Sequence, residues 1–399
     1  MRLRLICALV LGATCQCLSA DVHFEKKRLT DVFHSEGAAA GDFNRDGHTD
    51  VVSGPYWYAG LAFDARHEYA PVKSFDPARG YSDNFFAFTH DFNADGWADV
   101  LILGFPGTAA AWYENPRENA SGHWRRHLVI DKRVDNESPT FTDLTGDGKP
   151  ELVYHTHGRL GYATPDAADP TKPWTFHPIS TRGERGPFTH GLGVGDLSGD
   201  GRADVIERDA WWEHPASLEN DPVWKRHAAD FGGGGAQMYV YDVDADGLGD
   251  VITSLQAHGY GLAWFKQTRA GDEVRFEKRL IMGGPDAPTE QGVVFSQLHA
   301  LDLADVNGDG LMDVITGKRF WAHGTDKDPE PNAPAVIYWF ELKRTSGQAP
   351  RFVPHAIDDA SGVGTQVIAR DLNGDGRPDV IVGNKKGTFV FVQSAGQRK

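Results

Sequence analysis

The sequence predicts an all-β fold, a seven-bladed β-propeller closed by pairing of its N- and C-terminal strands. Three observations carry this expectation. A nine-residue acidic loop recurs seven times, an apolar β-branched run follows each copy, and each end of the chain carries part of one further repeat.

The loops begin at Asp42, Asp91, Asp143, Asp196, Asp242, Asp305 and Asp371. Each offers oxygen-bearing side chains at positions 1, 3, 5 and 9 and glycine at position 6. Glycine permits a sharp turn that brings the oxygens toward one point, as a hard divalent cation requires. The expected Ca²⁺ ligands are Asp42, Asn44, Asp46 and Asp50 in the first loop and Asp91, Asn93, Asp95 and Asp99 in the second. The third supplies Asp143, Asp147 and Glu151, and the fourth Asp196, Asp200 and Asp204. Asp242, Asp244, Asp246 and Asp250 follow, then Asp305, Asn307, Asp309 and Asp313, then Asp371, Asn373, Asp375 and Asp379. The third and fourth loops depart from the pattern, with Thr145 and Ser198 at position 3. A metal-free Asx turn closing a hairpin is the alternative for any one copy.

Successive loops start 46 to 66 residues apart, the length of a four-stranded blade. The run after each loop (DVVSG, DVLILG, ELVYH, DVIER, DVITS, DVITG, DVIVG) has the composition of a buried strand. An aromatic strand comes next, such as AWYENP, AWWEHP or IYWFEL. A further strand combines a large apolar residue with basic ones, as in HWRRHLVI and VRFEKRLI. Val22–Thr30 resembles such a fourth strand but precedes the first loop, while only two strands follow the last loop. Together these ends make one blade, and their pairing would remove exposed sheet edges.

The 399 residues therefore form one domain from residue 21 onward. Residues 1–20 have two arginines, an apolar stretch and a small-residue end, the pattern of a secretory signal cleaved near Ala20. That implies a secreted or periplasmic protein. All three cysteines lie in this segment, so the mature chain has no disulfide, and metals would staple the blades instead. The net charge of −16 is mostly local: the loops hold 22 of the 56 acidic residues and four of the 40 Lys and Arg. The rest is nearly neutral, which disfavours a nucleic-acid partner. No segment is long and apolar enough for a membrane span.

The loop followed by an apolar strand resembles the FG-GAP/VCBS repeat family, which includes the integrin α-subunit propeller. The resemblance covers Asp21 to the C-terminus and implies Ca²⁺ in the loops. GPYWYAG, AWYENP and FTHGLGVGD also resemble, more loosely, the propeller domain of fungal aldos-2-ulose dehydratase and related bacterial secreted propellers. This second likeness implies water elimination from keto-sugars, although the cupin domains of the fungal enzyme have no counterpart here.

Connections entering the innermost strands should surround the channel mouth, where propellers hold ligands. Five to eight residues before each loop stand His34, Asn84, Glu137, His190, Gln237, His299 and Gln366. Connections between second and third strands add His155, His157, His258, Tyr260, Lys318, Arg319, Trp321 and His323, with Trp211 close by. His, Glu and Arg suit proton abstraction beside a carbonyl, with a cation holding the enolate. The expected catalytic group is His190, His299, His258, His155 and Glu137, with Arg319 neutralising charge and a second divalent metal, Zn²⁺ or similar, at the rim histidines. The other rim residues would bind substrate. Two functions follow: a lyase or dehydratase acting by β-elimination on an oxidised sugar or uronate, or a non-catalytic propeller binding a glycan or protein. His127, His227 and His355 recur on fourth strands and are expected to pack the blades.

Overall fold

The computed structural model describes residues 22–119, 122–183, 185–271 and 273–395. The expected signal segment, residues 1–20, lies outside them. The fold is an all-β propeller, and its described helix content is one 3₁₀ turn at Arg117–Asn119.

Five sheets have four strands and one has eight. The first spans residues 39–68, the second 86–134, the third 140–178 and the fifth in chain order 301–358. The eight-stranded sheet is two antiparallel meanders, residues 192–228 and 237–282, joined where Leu192–Gly195 lies parallel to Gln237–Tyr241. In the last sheet, Val22–Thr30 pairs antiparallel with Gly387–Ala395, outside Asp379–Asn384 and Ile368–Arg370.

The position-9 residue of every loop is the first residue of a second strand. Val51, Val52, Val100, Val205, Val251, Val314 and Val380 are fully enclosed on these strands. Sheets packed on both faces demand such continuous apolar runs. Burying a Val or Ile side chain stabilises by about 1.5–3 kcal/mol.

A second repeated layer recurs in five of the four-stranded units. Third-strand aromatics face fourth-strand histidines in register: Trp57 with His67, Trp112 with His127, Tyr162 with His177, Trp211 with His227 and Trp339 with His355. The Trp211 and His227 rings stack at 3.9 Å. His127, His227 and His355 each bond a third-strand glutamate, Glu114, Glu213 and Glu341, at 2.7–2.9 Å. Cross-strand pairs of this kind stabilise sheets. Trp211, expected to bind substrate, is 2% exposed within this layer and is unavailable to a ligand.

Candidate metal centre

The acidic loops and the channel mouth lie at opposite ends of the strands. In the loops, position-6 glycines all have φ between 81° and 88°, the left-handed region that favours glycine. In the sixth loop Asp305 accepts the Asp309 and Gly310 amides at 3.0 and 2.9 Å, and Asn307 Oδ1 accepts the Asp309 amide at 2.9 Å. Position 9 works differently. Asp313 accepts the amides of Val306 and Leu342 at 3.0 and 2.9 Å, tying the loop to the third strand. Asp50, Asp99, Asp204, Asp250 and Asp379 repeat this double bond. Among the described residues Glu151 bonds only within its own loop, to the amides of Leu144 and Thr145 and the Thr145 hydroxyl. Asp143, Asp147 and Glu151 each bring an oxygen within 4.8 Å of the others, as do Asp242, Asp244 and Asp246. In the latter loop the Lys266 ammonium bridges Asp244 and Asp246.

At the opposite end, Glu137, His190, His258 and His299 converge, each offering a ligand atom within 4.8 Å of the rest. The three imidazoles form a triangle with every pair of ring centroids 5.0 Å apart, inclined at 65–85° to one another. His299 Nε2 lies 3.1 Å from His190 Nε2 and 3.1 Å from Glu137 Oε2. His190 Nε2 lies 3.6 Å from the same carboxylate oxygen.

Backbone contacts fix these positions. The Glu137 amide donates to Thr189 O at 2.9 Å, and the Gly191 amide donates to Ser138 Oγ at 2.9 Å, locking the Glu137 and His190 segments together. Gln297 is buried with φ of 64°. Its carbonyl accepts from the amides of His299 and Arg319, and its own amide donates to Gly259 O. A buried non-glycine residue in that conformation stores strain of about 1–3 kcal/mol and marks a site built for position.

Burial and the Arg319 charge push the His299 imidazole down to about 3, against the pull of Glu137. Burial also lowers His190 and His258. Contacts with Glu137 alone would favour imidazolium. The enclosed setting and the neighbouring guanidinium decide for neutral rings, while Glu137 stays ionised, its carboxyl held well down against burial by the His299 bond and nearby positive charge. Three neutral imidazoles and one carboxylate are the donor set that Zn²⁺-type ions take, and the buried Nδ1 atoms of His299 and His258 have no hydrogen-bond partner among the described residues, Asp328 lying 4.0 Å from the latter.

Arg319 stands behind the cluster rather than facing a ligand. It is 2% exposed, pairs with Glu36 and lies 3.5 Å from Glu137. Its charge is thus already balanced, and its effect is to hold Glu137. Around the mouth, His323 Nδ1 donates to Asp328 at 2.8 Å and its ring lies 4.1 Å from His258. Tyr260 donates to Glu330 at 2.9 Å, and Trp321 to Asn332 at 2.9 Å. Lys318 donates to Ser296 at 2.7 Å, and burial brings its pKa down to about 8. Burial does the same to Lys385, which donates to Trp321 O and sits 4.6 Å over the Tyr81 ring.

Other expected rim residues lie elsewhere. His155 is enclosed away from the triangle, bonded to Glu207 at 2.8 Å, and Glu207 in turn meets Arg185 at 3.0 Å. His157 is exposed at a turn with φ of 50°. The Gln237 amide bridges Thr365 O and the Leu301 amide, and the Gln366 amide holds both backbone groups of Ala87. These amides are engaged in joining one sheet to another, which corrects their assignment to substrate. His34, bonded to Lys73 O, and Asn84 line a separate cleft. Glu36, Tyr81, Gln297 and Asp328 belong to the mouth although the rim pattern omitted them.

The class is thus a β-propeller with acidic turns at one end and a histidine-rich mouth at the other. Residues 91–154 and 305–382 match the model of the FG-GAP-like repeat, so this β-propeller carries FG-GAP-like repeats. No curated protein matches it. Among solved structures, BBS1N in complex with ARL6DN is similar in fold at TM-score 0.52 and 9% identity, over 94% of this chain and 97% of that one. An Agrocybe aegerita lectin that recognises non-reducing terminal N-acetylglucosamine gives TM-score 0.46 and 16% identity over 94% and 86% of the two chains.

Proposed function

We propose that the chain is a secreted, metal-dependent carbon–oxygen lyase acting on an oxidised sugar or uronate at the propeller mouth. The observation that carries this is the triangle of neutral imidazoles closed by Glu137. His190, His258, His299 and Glu137 would hold a divalent transition metal, which supplies Lewis acidity toward a carbonyl or carboxylate oxygen. Arg319 positions Glu137. Lys385, part-deprotonated near pH 8, takes the proton α to the carbonyl. The electron pair of the broken C–H bond forms the C=C bond as the β C–O bond breaks and its pair leaves with oxygen, which the Tyr81 hydroxyl protonates. Metal analysis of the purified protein and its His190→Ala variant, with ultraviolet absorbance on a panel of keto-sugars and polyuronates, tests this. Bound metal lost in the variant and a new absorbance support it. No absorbance on any substrate, with glycan binding retained, favours a non-catalytic glycan-binding propeller.

The protonation roles give a pH expectation. Protonated Lys385 cannot act as base, so turnover should rise as pH rises through about 8. Lys385→Met should flatten that limb in a pH–rate profile.

In the same reading the eight-stranded sheet counts as two blades, which makes seven, and Val22–Thr30 closes the ring. Closure rests on its antiparallel register with Gly387–Ala395. Starting the mature chain at residue 31 would expose that edge, and size-exclusion chromatography should then show aggregate. A soluble monomer with an unchanged melt would place the closure elsewhere. The loops would take Ca²⁺ through hard oxygen donors, and residues 1–20 would direct export.

A further inference from the structure

A cleft of about 610 Å³ opens between the first and second sheets, apart from the metal centre. That volume lies within the range of roughly 300–1,000 Å³ typical of small-molecule sites. It exists because Gly104, Ala109 and Ala111 put little bulk on one wall. Half-exposed Phe105 and Tyr113 form apolar faces, and Asn84 lies in the interior. Asn84 is 3% exposed, and its Oδ1 has no hydrogen-bond partner among the described residues. A buried amide oxygen without a donor is unfavourable, so the geometry calls for a hydroxyl or N–H from a ligand.

The cleft is not isolated from the mouth. Phe105 packs against Tyr81 at 5.1 Å and against Phe188 at 5.5 Å. Phe188 is 53% exposed, and its carbonyl lies 3.0 Å from His190 Nδ1. Tyr81 in turn lies beneath Lys385. An aromatic path therefore runs from the cleft to the edge of the imidazole triangle.

We infer that this cleft is a pyranose subsite, holding a sugar unit of an oligosaccharide whose neighbouring unit reaches the metal centre. A pyranose has apolar C–H faces that match Phe105 and Tyr113, and equatorial hydroxyls that satisfy Asn84. Exposed Lys73, Asp83, His123 and Arg126 ring the opening and offer both donors and acceptors, which suits a polyol better than a purely apolar ligand. The link to the reacting unit rests on the proposed function; the subsite itself does not.

The test is calorimetric binding of neutral and uronate oligosaccharides of one to six units to the full chain. Affinity should rise at least tenfold between one and three units. Tyr113→Ala should abolish that gain, and Ala109→Phe, which fills the cleft without removing a packing group, should do the same with an unchanged melt. Absence of chain-length dependence, or its persistence in Ala109→Phe, overturns the subsite. Chain-length dependence lost in Ala109→Phe, without turnover by the wild type, would sink the lyase and leave the subsite standing.

Discussion

In the proposed lyase, replacing His299 with alanine should abolish transition-metal binding and lower turnover by about 10³-fold or more, since Lewis-acid stabilisation of an enolate is worth several kcal/mol. His299 is the best probe because its Nε2 meets both His190 and Glu137 and its ring is fully enclosed. Losing it breaks the triangle at its innermost corner. The substitution empties space and removes the 3.1 Å contact of His299 with Glu137, but Glu137 keeps its contact with Arg319 at 3.5 Å. The melting temperature should therefore shift modestly while metal content falls to background. Glu137→Gln should behave differently. It also weakens metal binding, but it leaves Arg319 with Glu36 as its remaining partner in that group, so stability falls too. Metal retained at wild-type stoichiometry in His299→Ala would exclude these imidazoles as the ligand set.

The convergence at the mouth was partly legible in the sequence. Glu137, His190 and His299 each precede their loop by six residues, and they meet. The window of five to eight residues also admitted His34, Asn84, Gln237 and Gln366, which do not. A fixed offset of six selects Glu36 and Phe85 instead, and both touch Arg319, by ion pair and by ring contact at 5.4 Å. In a repeat architecture the distance to the loop sets how far up the strand a side chain emerges, so one residue of slip turns it to the other face. His258 came from a connection between strands, where no fixed offset applies. Asp328 sits in the long segment before Ile337–Lys343, whose path composition does not reveal. Trp211 was misplaced because an aromatic near a connection looks like a sugar platform. Only the cross-strand register with His227 shows that it repeats as packing.

Stability should separate the two carboxylate roles in each loop. Asp313→Ala should destabilise the fold whether or not calcium is present, because the amides of Val306 and Leu342 lose their acceptor inside the protein. Two unsatisfied buried donors cost about 2–6 kcal/mol together. Part of that is offset, since burial of the carboxylate is itself unfavourable and pushes Asp313 up to about 7. Asp309 is exposed and accepts the Leu311 amide at a surface turn. Its replacement by alanine should cost little in chelator but should shrink the gain in melting temperature that millimolar calcium gives the wild type. Oxygen donors at positions 1, 3 and 5 repel one another until a cation is bound, so binding to the folded form alone raises stability by mass action. Loops five and three provide an internal comparison. Lys266 already bridges Asp244 and Asp246, so Lys266→Met should make the melt more dependent on calcium, whereas Lys149→Met in the third loop, where that residue is exposed, should not. Thermal melts of these variants in chelator and in calcium decide the matter. If the wild-type melt is the same in both, the seven loops are Asx turns that close hairpins, and their carboxylates serve the backbone alone.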